Sequence, residues 1–567
     1  MKIVKRVIVA LGVCVVLGCF GLIAVMLWGK YSDGKDYADL DSYFSLTEAD
    51  ETAIILDNTV ISDKALLYDG GYYFSLDTIQ DYFHNRFYYT ELSREIRYTD
   101  AQMVVAADLD GTVYSVTTSG ETTEYTFDRV IAFERDGVCY INADFVFRYV
   151  AYKYEAYTEP NRIVVSPVSG EQLLVDVKKN TAVRWRAGIK SDILKDVTKG
   201  EALVVLDADS ISGWTKVATL DGFIGYIKNK CIGQSYTSMY DGAFSYTEPE
   251  YTSVTMDAPV RLGFQAVYTY ATNDNLTQLA ATASTMNVVA PTWFTITADY
   301  EYISFASVSY VEEAHAMGLQ VWGLLEDITY DVDIYYVLAD STKRTELIDF
   351  LIEEALRVDM DGINIDLESV RSEEGAHFIQ FLRELSIRCR EEGLILSVDN
   401  YPPNSGNTYN DYKEQGVVAD YVILMGYDEH WGGSGDPGST ASQSFVEDSL
   451  DSLMTMVDAS KIVLAVPFYT RLWVTQDGVT TDSAVYISDV YYWTGYYGME
   501  VTWDEETGQN YAEATINGAL YQMWIEDSTS LSSKLQAAKD RGVAGVAAWR
   551  LGYEDASAWS LIGGYFQ

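Results

Sequence analysis

In the stretch Met360-Asp-Gly-Ile-Asn-Ile-Asp-Leu-Glu368, amide and acidic residues alternate with aliphatic ones, and the run ends on a glutamate. A β-strand sends successive side chains to opposite faces, so Asn364, Asp366 and Glu368 share one face and Ile363, Ile365 and Leu367 the other. Two carboxylates two positions apart suit general acid–base work, because a neighbouring negative charge raises a carboxyl pKa and keeps a proton bound near neutral pH. Burying three such groups together is costly unless they are paired or do chemistry. A strand end whose acids merely reach solvent is the plain alternative. Other chemistries have little support. The four histidines (His84, His315, His377, His430) lack metal-ligand spacing, Gly432-Gly-Ser-Gly-Asp436 is not G-x-S-x-G, and no glycine-rich phosphate loop occurs. Neither a metal nor a cofactor is expected.

An acidic strand end becomes a site only if a scaffold surrounds it. Apolar strand candidates recur at 260–265, 286–291, 320–325, 362–368, 394–399, 421–426, 462–467 and 545–549. Between them, 309–317, 342–358, 373–392 and 442–457 carry apolar residues at three- and four-residue spacing, which predicts helices. Eight β-then-α units predict a (β/α)8 TIM barrel over residues 258–567, with its site at the C-terminal strand ends. Glu368 ends the fourth strand.

The octapeptide Asp361 to Glu368 resembles the signature D-G-x-[DN]-x-[DN]-x-E of glycoside hydrolase family 18, the chitinase-like enzymes. Leu424-Met-Gly-Tyr-Asp-Glu-His-Trp431 is similar to that family's M-x-Y-D motif, and Gly545-Val-Ala-Ala-Trp549 ends where the family places a tryptophan beneath the reacting sugar. Pro467-Phe-Tyr-Thr-Arg-Leu-Trp473 and Trp549-Arg-Leu-Gly-Tyr-Glu-Asp555 look closer to its bacterial wall- and spore-cortex-lytic branch.

The resemblance implies a retaining, substrate-assisted hydrolase in which the 2-acetamido group attacks its own anomeric carbon. Glu368 would be the acid and then the base, Asp366 would hold the acetamido N–H, and Tyr427 would donate to the acetamido oxygen. Asn364, Met425, Asp428 and Trp549 would complete the substrate-binding set, Trp549 as an apolar floor for the sugar ring. The implied substrate is β-1,4-linked N-acetylglucosamine in peptidoglycan or a related wall glycan. Two departures bear on this. Asn364 stands where an aspartate is frequent, which removes a charge behind Asp366. The third strand, Val321-Trp-Gly-Leu-Leu-Glu326, lacks the S-x-G-G of many chitinases and turns the expectation away from chitin. A catalytically silent carbohydrate-binding barrel and an enzyme for another N-acetylated glycan stay open as alternatives.

The rest of the 567-residue chain reads as support. With 39 Lys plus Arg against 84 Asp plus Glu, the net charge of −45 disfavours nucleic acid and anionic surfaces. Residues 1–30 read as a basic flank and an apolar span long enough for a bilayer, predicting a single-pass anchor with a cytoplasmic N-terminus and an external catalytic part. An acidic spacer (31–51) precedes a small α+β or mainly β region (52–168), which loosely resembles the stalk-type domain named after the copper amine oxidase N-terminus. Residues 171–235 show five short, turn-rich segments, among them Thr181-Ala-Val-Arg-Trp-Arg-Ala-Gly188 and Asp221-Gly-Phe-Ile-Gly-Tyr-Ile227, and resemble a bacterial SH3-like domain. That resemblance implies contact with wall peptide. Cys139, Cys231 and Cys389 are too dispersed for a disulfide framework.

Overall fold

The computed structural model describes residues 2–244 and 246–567. The chain divides into two compact units. The first comprises 1–85, 110–112 and 127–247, and the second 86–109, 113–126 and 248–567.

The first unit begins with the helix Lys2–Tyr31, within which Ile8–Trp28 is apolar enough and long enough to cross a membrane. It continues into a seven-stranded mixed sheet between Glu51 and Pro167, in which Glu51–Leu56 pairs in parallel with Arg162–Pro167. The helix Leu76–Tyr82 is capped by Ser75, whose side chain accepts from the Thr78 amide. A second seven-stranded antiparallel sheet runs from Ser169 to Asp241 around Val175, Val183, Leu203, Val217 and Ile227.

The second unit holds a closed barrel of eight parallel strands: β1 (Val260–Gln265), β2 (Val288–Pro291), β3 (Gln320–Glu326), β4 (Gly362–Asp366), β5 (Ile395–Asn400), β6 (Tyr421–Met425), β7 (Ile462–Pro467) and β8 (Gly545–Trp549). Each pairs with its successor, and β8 closes onto β1. At that seam Gly545 lies so close to β1 that a Cβ would stand 2.1 Å from the Val260 carbonyl oxygen, so a larger residue would force the barrel open. The outer helices include α1 (Val308–Ala316), α2 (Ser341–Val358), α3 (Gly375–Glu392) and α4 (Gln443–Met454). Their apolar faces close over the strands in one continuous core.

Two additions to this scaffold were not read from the sequence. Between β7 and β8 the chain builds a five-stranded antiparallel sheet from Tyr469 to Ile525, with the helix α5 (Val490–Tyr497) packed on it. The stretch 52–168, expected as one region, is shared between the units. Its five antiparallel strands between Phe87 and Thr126 lie against α2 and α3 of the barrel.

Buried ion pairs hold that sheet to the barrel. Glu384 on α3 receives Arg97 at 2.9 Å and Arg344 at 3.1 Å, and Arg344 is fully buried. Burial alone would raise the Glu384 carboxyl, but Arg344 and Arg97 outweigh it and hold it at about 2. A second cluster joins Arg86 and Arg383 to Glu414, at 2.9 and 2.8 Å. Gln380 on α3 also donates to the Thr99 hydroxyl at 2.8 Å. Removing one partner of such a buried pair typically costs about 3–5 kcal/mol, because the other charge is left without compensation.

Candidate active site

β4 is buried along its whole length, and its alternation places Asn364 and Asp366 on the face opposite Ile363 and Ile365. Glu368 follows two residues past the strand end. The turn that carries it is fixed from β3, where the Asp327 carboxylate accepts from the backbone amides of Glu368 (2.9 Å) and Ser369 (3.2 Å). Its neighbour Glu326 accepts from the amides of Ile328 and Thr329, both at 2.8 Å, and shapes the next loop.

β5 supplies groups that sequence reasoning missed. Ser397, Asp399 and Tyr401 alternate along it as Asn364, Asp366 and Glu368 do along β4. The Asn364 amide donates to Ser397 Oγ at 2.9 Å and to Asp399 Oδ1 at 2.8 Å. The Tyr401 hydroxyl donates to Glu368 Oε2. The signal was present in Leu396-Ser-Val-Asp-Asn-Tyr401, which carries the same polar alternation at a strand end.

β6 contributes Met425 and, just beyond it, Tyr427, both buried. Asp428 follows with φ of +58°, a left-handed conformation that redirects the chain at the barrel mouth. Its carboxylate accepts from the Tyr469 hydroxyl at 2.6 Å and lies 3.6 Å from the Arg471 guanidinium. Both partners stand on the first strand of the insertion between β7 and β8, so this subdomain reaches into the site. Trp549, at the end of β8, is half-buried with its ring 5.5 Å from Phe264.

The electrostatics follow from burial. Asp366 is pushed well above the usual carboxyl range by burial first, then by the charges of Asp399 and Glu368. Its Oδ1 is buried with no hydrogen-bond partner among the described residues, a costly state for an ionised oxygen. Burial raises Asp399 to about 8, although the Asn364 amide pulls it down. Glu368 is raised as well, again by burial first. Tyr401 opposes this by hydrogen bonding, while Asp327, Asp428 and Glu326 add to it. The Glu368 carboxyl is thus raised by its pocket and by Asp327, Asp428 and Glu326. Burial also pushes the Tyr427 hydroxyl far up, leaving it a neutral donor.

Two adjoining spaces meet at these residues. One, of about 250 Å³, is lined by Asp366, Trp549 and Tyr330. The other, of about 810 Å³, is lined by Asn404, Trp431 and Arg371. Glu368, Tyr401, Met425, Tyr427 and Asp428 border both. An acid at the junction of two spaces is what a bond-cleaving site requires, with one fragment held on each side. All seven residues expected from the sequence therefore gather at one end of the barrel, Asn364 from beneath the cleft and the other six in its walls. Among the described residues, no group of three or more His, Cys, Asp or Glu side chains could hold a metal ion.

Comparison with known proteins agrees with this geometry. Residues 329–554 match the family described as glycosyl hydrolases family 18. The uncharacterized glycosylase YvbX of Bacillus subtilis (strain 168) is 26% identical over 339 residues, which cover 56% of this chain and 94% of that protein. The cortical fragment-lytic enzyme of Bacillus anthracis is 27% identical over 250 residues, 42% of this chain, and the match spans a little over half, 57%, of that relative. In fold, the barrel resembles the crystal structure of the Bacillus cereus spore cortex-lytic enzyme SleL, with a TM-score of 0.50 and 22% identity over 59% of this chain and 78% of that one. Residues 329–554, which carry Glu368, Tyr427 and Trp549, thus match a family 18 glycosyl hydrolase domain, and the protein is a glycosidase.

Proposed function

We propose that the protein is a retaining, substrate-assisted hydrolase of β-1,4-linked N-acetylglucosamine in peptidoglycan or a related wall glycan. The observation that carries this reading is the placement of Glu368 between the two spaces, beside a buried Asp366 whose Oδ1 has no partner among the described residues. An acetamido N–H would give Asp366 the hydrogen bond that the protein does not. The Tyr427 hydroxyl would donate to the acetamido oxygen and orient it toward the anomeric carbon. The reacting sugar would lie in the smaller space on Trp549, and the leaving part of the strand would occupy the larger one.

Glu368 protonates the glycosidic oxygen as the C–O bond breaks, and the acetamido oxygen closes on the anomeric carbon to form a cationic ring that Asp366 stabilises. Glu368, now a carboxylate, receives the Tyr401 hydroxyl and takes a proton from the water that opens the ring. Configuration is retained. The names of the relatives, cortical fragment-lytic enzymes among them, favour a wall glycan over chitin.

The apolar helix Ile8–Trp28 would anchor the chain, with the barrel outside the cell. In this reading residues 171–235 are an SH3-like module that contacts wall peptide, and the Glu51–Pro167 sheet is a stalk-type spacer.

The test is to incubate the protein and its Glu368→Gln variant with purified peptidoglycan, chitin oligosaccharides and N-glycans, and to identify new reducing ends by mass spectrometry. Release of N-acetylglucosamine-ended fragments from peptidoglycan by the parent chain alone is the expected result. Binding without release by both proteins would leave a carbohydrate-binding barrel instead.

A further inference from the structure

The helix α5 reads Val-Tyr-Tyr-Trp-Thr-Gly-Tyr-Tyr, with aromatic rings at 491, 492, 493, 496 and 497. The sheet beneath it accounts for two of them. Trp493 and Tyr497 stack on each other with centroids 5.8 Å apart and pack with Met499 and Met523 in the core of the insertion. Tyr491, Tyr492 and Tyr496 face outward and are 59, 64 and 66% exposed. Tyr492 and Tyr496 lie 6.2 Å apart and 22° from parallel, forming a flat aromatic surface on one side of the helix. The Tyr491 hydroxyl donates to Asp527 Oδ2 at 2.8 Å, which accounts for its position, but the sheet accounts for neither Tyr492 nor Tyr496, and a grouped exposed aromatic surface marks a binding site more often than a scattered one does.

The helix is tied to the cleft. Trp549 lines the smaller cavity, and four residues later Tyr553 stacks on Tyr486, with ring centroids 3.8 Å apart. The Ser488 amide donates to the Tyr553 carbonyl at 3.3 Å, and α5 begins two residues further on. The segment that leads into α5 is therefore held to the segment that follows Trp549.

The chemistry of the surface selects its occupant. α5 carries no charged side chain, so it offers no anchor to an ionic partner, and the net charge of −45 disfavours anionic lipid and polyanions. A sugar ring has an apolar C–H face that stacks on an aromatic plane and a rim of hydroxyls that tyrosine can meet with its own. We propose that α5 is a second glycan-binding surface, outside the cleft, which holds an uncleaved stretch of the same N-acetylated strand. This rests on the substrate reading given above.

The experiment uses the full chain. In a Glu368→Gln background, Tyr492 and Tyr496 are replaced together by alanine, and binding to insoluble peptidoglycan is measured by sedimentation. The expected result is a loss of affinity of about tenfold or more from two deleted stacking rings. With Glu368 intact, the same two substitutions should leave kcat/KM on a short soluble N-acetylglucosamine oligosaccharide within about twofold, because such a substrate fits inside the cleft. Undiminished binding to peptidoglycan would overturn the proposal, as would an equal loss on the short substrate. In phosphatidylcholine nanodiscs, hydrogen exchange of residues 490–497 should slow only when glycan is added. Protection by lipid alone would overturn the proposal in favour of a membrane surface. If the parent chain hydrolyses no N-acetylated glycan, the proposed function falls and this inference with it. If it hydrolyses glycan while the tyrosine variant binds normally, the inference alone falls.

Discussion

Replacing Asp399 by asparagine should make the protein more stable, by an amount that grows with pH. Asp399 is 7% exposed, and burial raises its carboxyl to about 8 in the folded chain. In the unfolded chain it titrates near its ordinary value of about 4. Between these limits the folded state binds more protons than the unfolded state, so stability falls as pH rises. The loss from this one group is at most about 1.4 kcal/mol per pH unit. Asparagine removes the titration but keeps the contact, since its Oδ1 can still accept from the Asn364 amide now bonded to Asp399 at 2.8 Å. It also removes the leading charge that raises Asp366. Thermal melting of parent and Asp399→Asn proteins at pH 4, 5, 6, 7 and 8 should give equal melting temperatures at pH 4 and a gap that widens by roughly 2 °C per pH unit above it. A gap that does not change with pH would refute the assignment of a buried, proton-holding carboxyl at this position.

Further outcomes are expected. Tyr401→Phe removes the hydrogen bond that lowers the Glu368 carboxyl, so the alkaline limb of kcat/KM should move to higher pH while maximal turnover drops; an unmoved limb would separate Tyr401 from the acid. Asp366→Ala should depress kcat by orders of magnitude with KM changed much less, measured on a soluble oligosaccharide. Trp549→Ala should act chiefly on KM through loss of the stacking floor, by about tenfold. Glu384→Gln should destabilise the barrel by about 3–5 kcal/mol at neutral pH by uncoupling Arg344 and Arg97. Because Glu384 is held at about 2, that stability is present above its unfolded value near 4.5 and fades as pH falls toward 2, so urea melts of the two proteins should converge at low pH.

The eight barrel strands were legible because each is a short apolar run bounded by turn residues and followed by a helix with its own period. The observed Gly362–Asp366, Tyr421–Met425 and Gly545–Trp549 lie within the ranges read from the sequence. Asp366 and Glu368 were legible from the alternation along one strand, whereas Tyr427 and Trp549 were named only by the resemblance to family 18; all four line one cavity. β5 has the same alternation, but residues 394–399 read only as an apolar barrel strand, so Asp399 and Tyr401 were not named with the site. The compensation it offers Asn364 depends on lateral pairing of β4 with β5, which no local pattern encodes. The sheet between Tyr469 and Ile525 was hidden inside a segment expected to hold a single crossover. The strands between Phe87 and Thr126 read as part of the 52–168 region. Their attachment to α2 and α3 rests on Arg97–Glu384 and Gln380–Thr99, pairs separated by more than 280 residues in the chain.

The central claim is that the substrate's own acetamido group attacks while Glu368 donates the proton. The direct measurement compares kcat/KM for a β-1,4-linked N-acetylglucosamine oligosaccharide with that for the same oligosaccharide carrying a hydroxyl in place of the acetamido group at the cleavage site. The account predicts a loss on the order of a thousandfold or more, because neither Asp366 nor Tyr427 can replace an absent intramolecular nucleophile. Hydrolysis of the hydroxyl analogue within about tenfold of the parent sugar would contradict it.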